Sequence, residues 1–216
     1  MEWILNGTRR VTTSLLGIKD AIFLTLICIL EHQSTKPQSR FITVMKSYFS
    51  GKWSDSSMDG YPCSGWTLID YVNGMNPDRV LDVGCGFNRF KDKINNLMGI
   101  DPYNDAADVK ISLEQYDGPT VDIALCLGSI NFGDEETIDH QIDILDSIWT
   151  KRAIFRVNPG LPHVWANQEE WDGITWYPWT KDKVYSIAEE YKYNVDQFTI
   201  EQTIQGHNRY YFEFSK

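Results

Sequence analysis

Basic residues are scarce in this chain. Its 216 residues hold 20 Lys and Arg against 30 Asp and Glu, a net charge of −10. That balance excludes a broad phosphate-binding surface, and with it an extended nucleic-acid partner; only a local basic groove is compatible with it. Cysteine is scarce as well. Cys28, Cys63, Cys85 and Cys126 form no C-x-x-C pair and no disulfide-rich spacing, so neither a disulfide framework nor a metal site is expected, and the usage suits a reduced, cytoplasmic protein. Long apolar runs are missing too. Ala21–Leu30 spans ten residues, too short to cross a bilayer. The Arg9-Arg10 pair ahead of it is not followed by a small-residue cleavage site, and Cys28 follows Ile27 rather than a small residue, so neither a secretory nor a lipoprotein leader is adopted. No internal repeat or low-complexity tract occurs.

What remains is the composition of a globular domain. Hydrophobic residues make up 42% of the chain, enough for a full core in one domain. Residues 1–44 differ from the rest, with five Lys and Arg against three Asp and Glu. They read as an accessory N-terminal segment with a loose linker, Gln33–Arg40, or as an extension ahead of a start at Met45. Residues 45–216 then form the domain.

The organising stretch runs from Val80 to Asp101. Val80-Leu81-Asp82-Val83 is a short apolar run of the kind that forms a buried strand. It breaks into Gly84-Cys85-Gly86, and Phe90, Ile94 and Leu97 follow at helical spacing. Met98-Gly99-Ile100 then reads as a second strand ending on Asp101. Strand, glycine turn, helix, strand and terminal acid make the front half of a nucleotide-binding α/β unit. The glycines allow a sharp turn and leave no side chain between backbone and ligand. An acid at the end of the second strand can accept hydrogen bonds from both hydroxyls of a ribose. The dinucleotide fingerprint needs a third glycine where this chain has Arg89, and Asp82 adds negative charge beside the turn. A pyrophosphate is disfavoured there, and an ammonium or sulfonium group is favoured.

D-V-G-C-G followed by G-I-D resembles motifs I and II of the class I S-adenosylmethionine (SAM)-dependent methyltransferases. The resemblance implies a doubly wound α/β sheet of seven strands, mostly parallel, with one antiparallel strand near its edge. It implies SAM as cofactor, bound by Asp82, Gly84, Cys85, Gly86, Asn88, Asp101, Pro102, Tyr103, Asp108, Gly128 and Ser129. Asp108 takes the place of the family's acid near the adenine amino group, and Tyr103 could lie against an adenine face. Tyr61 and Trp66, ahead of motif I, either close over the methionine end of SAM or simply pack on the sheet. A fainter likeness points to small methyltransferase-like proteins of tailed bacteriophages, which would place the chain in the host cytoplasm.

Further along, Thr67–Val72 reads as helical and Ala107–Ile111 as a third strand. Val121–Leu127 is a strongly apolar strand, and Gly128-Ser129-Ile130-Asn131-Phe132-Gly133 after it resembles the motif IV loop that lines the methyl-transfer site. The Asp-Pro-Pro-Tyr or Asn-Pro-Pro-Tyr signature of DNA amino-methylating enzymes is absent. Asp134–Trp149 is expected to be a helix facing inward with Ile138, Ile142, Leu145 and Trp149. Ala153–Val157 reads as the fifth strand. Leu161–Trp179 holds four tryptophans, His163 and two prolines without a period, and is expected to form a lid over the acceptor pocket. Thr180 caps a helix carrying Val184, Ile187, Ala188 and Tyr191, and Val195–Thr203 with Arg209–Phe214 reads as a closing hairpin.

The expected activity is methyl transfer from SAM to an acceptor that the sequence does not identify, a small molecule or protein in preference to DNA. Asn131, Asp134 and His163 are the candidates for polarising or deprotonating it. Two other classes fit the same motifs: a SAM-binding regulatory or structural module without transfer, and a SAM-using lyase or aminopropyltransferase. No membrane span is expected, and the oligomeric state is not legible.

Overall fold

Short apolar runs between turn-forming residues assemble into one twisted sheet. The computed structural model describes residue 49 and residues 65–159, 174–202 and 208–216. Residues 1–44, Tyr61, His163, Trp165 and Trp171, with the expectations placed on them, lie outside the described residues. In chain order the elements are α1 (Leu68–Gly74), β1 (Val80–Val83), β2 (Leu97–Ile100), a 3-10 turn (Leu113–Gln115) and β3 (Val121–Leu127). They continue with α2 (Glu135–Ile148), β4 (Trp149–Val157), α3 (Lys181–Tyr191), β5 (Asn194–Gln202) and β6 (Asn208–Ser215). The sheet order is β2-β1-β3-β4-β6-β5. The first four strands in that order pair in parallel, and β6 inserts antiparallel between β4 and β5.

All four residues of β1 are buried, as befits a parallel strand covered on both faces. One face is packed by α2 through Ile138, Ile142, Leu145 and Ile148 and by α3 through Val184, Ile187 and Ala188. The other face is packed by Leu68 and Val72 of α1 together with Phe90 and Ile94. Each such aliphatic side chain contributes about 1.5–3 kcal/mol when fully buried. Both longer helices start on side-chain caps. Asp134 accepts a hydrogen bond from the Thr137 amide and Thr180 one from the Lys183 amide, which satisfies amides that the first turn leaves without partners. Among the described residues no helix is long and apolar enough to cross a membrane.

Three expectations change. The segment after Gly86 is a chain of turns rather than a helix, although Phe90 and Ile94 are buried as their spacing predicts. Asn88, Asp92 and Asn96 all have positive φ, +51°, +63° and +57°; a left-handed residue every fourth position resets the backbone before a helical ladder can propagate. The sheet has six strands, not seven, among the described residues. Ala107–Ile111 makes only an isolated bridge between Ile100 and Val109, because the Asp108 and Val109 amides both donate to the Gly99 carbonyl and close a turn. Trp149 is the first residue of β4 and not the last of the helix, so β4 starts four residues earlier than its apolar core suggested.

Candidate functional site

The carboxyl ends of β1, β2, β3 and β4 lie side by side, and the loops that leave them carry the sequence-predicted site. Gly84 and Gly86 have φ of +67° and +53°. The Gly84 and Cys85 amides donate to the Ile100 carbonyl at 2.8 and 3.0 Å, so the turn is tied to the end of β2. The two glycines are needed for different reasons. A Cβ on Gly84 would stand 2.5 Å from the Ser129 Cβ, whereas one on Gly86 would meet nothing within 4 Å among the described residues. Gly84 lets the loop after β3 pack against the turn, and Gly86 presents bare backbone to open space.

Asp101 connects this turn to the loop after β2. Its Oδ1 accepts from the Tyr103 and Asn104 amides, both at 2.8 Å, and its Oδ2 accepts from the Gly86 amide at 3.1 Å. A carboxylate has about four acceptor positions, so Oδ2 keeps one for a ligand hydroxyl. Pro102 and Tyr103 continue the loop, half-buried, with the Tyr103 ring stacked on Phe49 at 6.0 Å. Asn104, in the same loop, is buried. Its Oδ1 accepts from the Ala106 amide, while its Nδ2 is buried without a partner among the described residues.

Asp82, on β1, is 4% exposed. Burial, and then the charge of Asp101, push its carboxyl up to about 7. Burial also drives the Cys85 and Cys126 thiols far up, with the Asp82 charge adding to it, so neither thiol is a ready nucleophile. Asp108 is close to β2 but its carboxylate is engaged. It accepts from the Gly99 amide at 2.9 Å and from Asn88 Nδ2 at 3.0 Å, and pairs with Lys91. Burial raises its pKa, but these bonds outweigh burial and hold it below the usual carboxylate range. Asn88 also donates to the Ala106 carbonyl; it fastens the glycine turn to the loop that Asp101 begins.

On the acceptor side, the structure engages two of the three candidates. Asn131 is buried. Its Nδ2 donates to the Gly128 carbonyl at 3.0 Å, its Oδ1 accepts from the Asn158 amide at 2.9 Å, and its main-chain carbonyl accepts from the Tyr177 amide at 2.9 Å. It holds together the loops after β3 and β4 and the segment before α3. Asp134 caps α2, bonding the Thr137 amide and hydroxyl; Asp-x-x-Thr is a local capping pattern and could have been read as one. Trp179, expected in the lid, is core: it is 1% exposed and its indole donates to the Ile130 carbonyl at 2.8 Å. Trp176 bridges Phe132, with ring centroids 4.5 Å apart. Gly128 and Ser129 remain beside the glycine turn, Gly128 with φ of +108°.

No protein-family model and no curated protein sequence matches the chain. Solved structures do. A magnesium protoporphyrin IX methyltransferase from Synechocystis PCC 6803, with bound S-adenosylhomocysteine (SAH), is 14% identical, with a TM-score of 0.64 over 82% of this chain and 99% of its own. The 1,6-didemethyltoxoflavin-N1-methyltransferase of Burkholderia thailandensis, holding that compound and SAH, is 13% identical, with a TM-score of 0.63 over 84% of this chain and 91% of its own. The N-methyltransferase NodS from Bradyrhizobium japonicum WM9 with SAH is 12% identical, with a TM-score of 0.59 over 82% and 98%. The fold of this chain is thus that of class I SAM-dependent methyltransferases.

Proposed function

We propose that the chain binds SAM at the Gly84–Gly86 turn and transfers its methyl group to a small-molecule acceptor. The observation that carries this reading is the pairing of Gly86, open on its outer side, with Asp101, whose Oδ2 holds the Gly86 amide and retains an acceptor position. These residues fit the cofactor: bare backbone for close approach, an acid for the ribose hydroxyls, and the Asp82 carboxyl for a cationic methionine end. The solved structures hold SAH on the same fold, and two of their names specify small-molecule acceptors. The net charge of −10 further disfavours a nucleic-acid acceptor.

When bound, SAM supplies an electrophilic methyl group on a sulfonium. The residues of this chain then align reactants and exclude water, effects that can supply about 7–11 kcal/mol of barrier lowering. Asn131 holds the wall formed by the loops after β3 and β4, and Phe132 with Trp176 closes that wall with aromatic surface. A second reading has its own support. Both described candidates for acid–base work, Asn131 and Asp134, are bonded within the protein, which suits a SAM-binding module without transfer as well as a positioning enzyme.

Two measurements test this. In calorimetry, Asp101→Ala is expected to weaken SAM binding roughly ten- to a thousandfold while the fold survives, since charge-assisted bonds contribute about 1.5–3 kcal/mol each; equal affinities would defeat the site. Incubation of the protein and labelled SAM with a metabolite extract is expected to yield SAH and a labelled product. SAM binding without SAH formation would leave the non-catalytic reading standing.

A further inference from the structure

We infer that Asp82 holds its proton in the free protein and releases it to solvent when the cationic methionine end of SAM binds, so that cofactor uptake is coupled to proton release. This rests on the reading above that the site takes SAM. Asp82 sits in the interior of the sheet, in register with Gly99 on β2 and Leu125 on β3. It is 4% exposed, and no hydrogen bond or ion pair reaches its carboxyl among the described residues. A buried carboxylate without a partner is costly, and such groups neutralise instead.

Its neighbours deepen the effect. The group whose charge reaches it is Asp101 at the end of β2; the thiols beside it, Cys85 in the glycine turn and Cys126 on β3, are driven far up by burial and stay uncharged. None is cationic, and Lys91, on the same turn segment, is paired with Asp108. The two acids are also unequal. Asp101 accepts three backbone amides, whereas Asp82 accepts none. Of this pair, Asp82 therefore takes the proton, in keeping with its carboxyl being raised to about 7 by burial and by Asp101. An arriving ammonium or sulfonium supplies the missing countercharge, and an opposite charge within about 4–6 Å favours the ionised form. The Asp82 O–H bond breaks, its proton passes to water, and the carboxylate faces the cation; no other bond changes.

Calorimetry of the full chain with SAM, in buffers of unlike ionisation enthalpy at about pH 6, 7 and 8, reads the proton directly. Near pH 7 the wild type is expected to release a few tenths of a proton more per SAM than Asp82→Asn, and its affinity relative to that variant should rise about fivefold from pH 6 to 7. The ligand's own amino group, ordinarily at about 7.7–8.0, stays mostly protonated over that interval; at pH 8 its uptake of protons beside the carboxylate offsets part of the release. Equal proton release, or a constant affinity ratio, would overturn the inference. Should Asp82→Asn fail to fold, carboxyl carbon resonances of the free wild type decide: a titration midpoint near 7 for Asp82 supports it, and one near the ordinary value of about 3.9 overturns it. SAM binding without the extra proton sinks this inference alone, whereas no binding at any pH sinks the site assignment with it.

Discussion

Gly84 and Gly86 look alike in sequence and differ in what surrounds them. Both occupy left-handed backbone, so an alanine at either position costs about 1–2 kcal/mol in conformation. Gly84 has the Ser129 Cβ pressed against it, which adds an overpacking cost of about 1–3 kcal/mol. Gly84→Ala is therefore expected to lower the melting temperature clearly more than Gly86→Ala. Ligand binding should reverse that emphasis: Gly86→Ala puts a methyl group into the open side of the turn and should lose SAM while staying folded. Thermal denaturation and calorimetry on the two variants check both halves. An equal loss of stability would mean that Ser129 yields and that the close approach is not a constraint. The pattern of glycines was legible in the sequence, and the difference between them was not, because Ser129 lies 45 positions along the chain from Gly84.

At the scale of elements, the packing of α2 against α3 is laced along its rim by polar bonds. Lys183 reaches Glu135 and Asp139 at 3.0 and 2.6 Å, Tyr191 bonds Asp143, and Tyr193 bonds Asp146 at 2.6 Å. Asp146 also pairs with Lys216 at 2.9 Å. Burial raises the Asp146 pKa, but the Tyr193 and Lys216 bonds outweigh burial and hold the carboxyl below the usual range. A depressed folded pKa means stability that is complete above the unfolded value, about 3.9, and is lost as pH falls through the folded one. Tyr193→Phe should thus cost about 0.5–1.5 kcal/mol near neutrality, the range for a net hydrogen bond, since the Asp146 side chain is 40% exposed and water screens its charge. In urea titrations the gap between wild type and variant should narrow below about pH 4. A gap that stays constant down to pH 2 would place the loss in packing instead, since Tyr193 also stacks on Tyr191 and lies against Trp149 and Phe214.

At the scale of the molecule, the site motifs and all the described elements fall after Met45. We propose that residues 45–216 are the folding and binding unit, so a chain beginning at Met45 is expected to melt cooperatively and to bind SAM as the full chain does. Aggregation or loss of binding would show that residues 1–44 complete the core. The amino-acid sequence by itself determined β1, β3, the glycine turn, both longer helices and the closing hairpin. Those features follow from apolar spacing, caps and turn residues that act within a few positions of one another. It also placed Asp82 and Asp101 at the carboxyl ends of adjacent strands. Only the tertiary structure decided how those groups are used. It set the strand order β2-β1-β3-β4-β6-β5, and it turned 86–96 into successive left-handed turns where the apolar spacing had suggested a helix. It bonded Asn131 to Asn158 and Asp108 to Lys91 and Gly99, and it left Asp82 without a partner among the described residues. Whether a buried polar group is satisfied depends on what the fold brings to it from elsewhere in the chain, and local spacing carries no record of that.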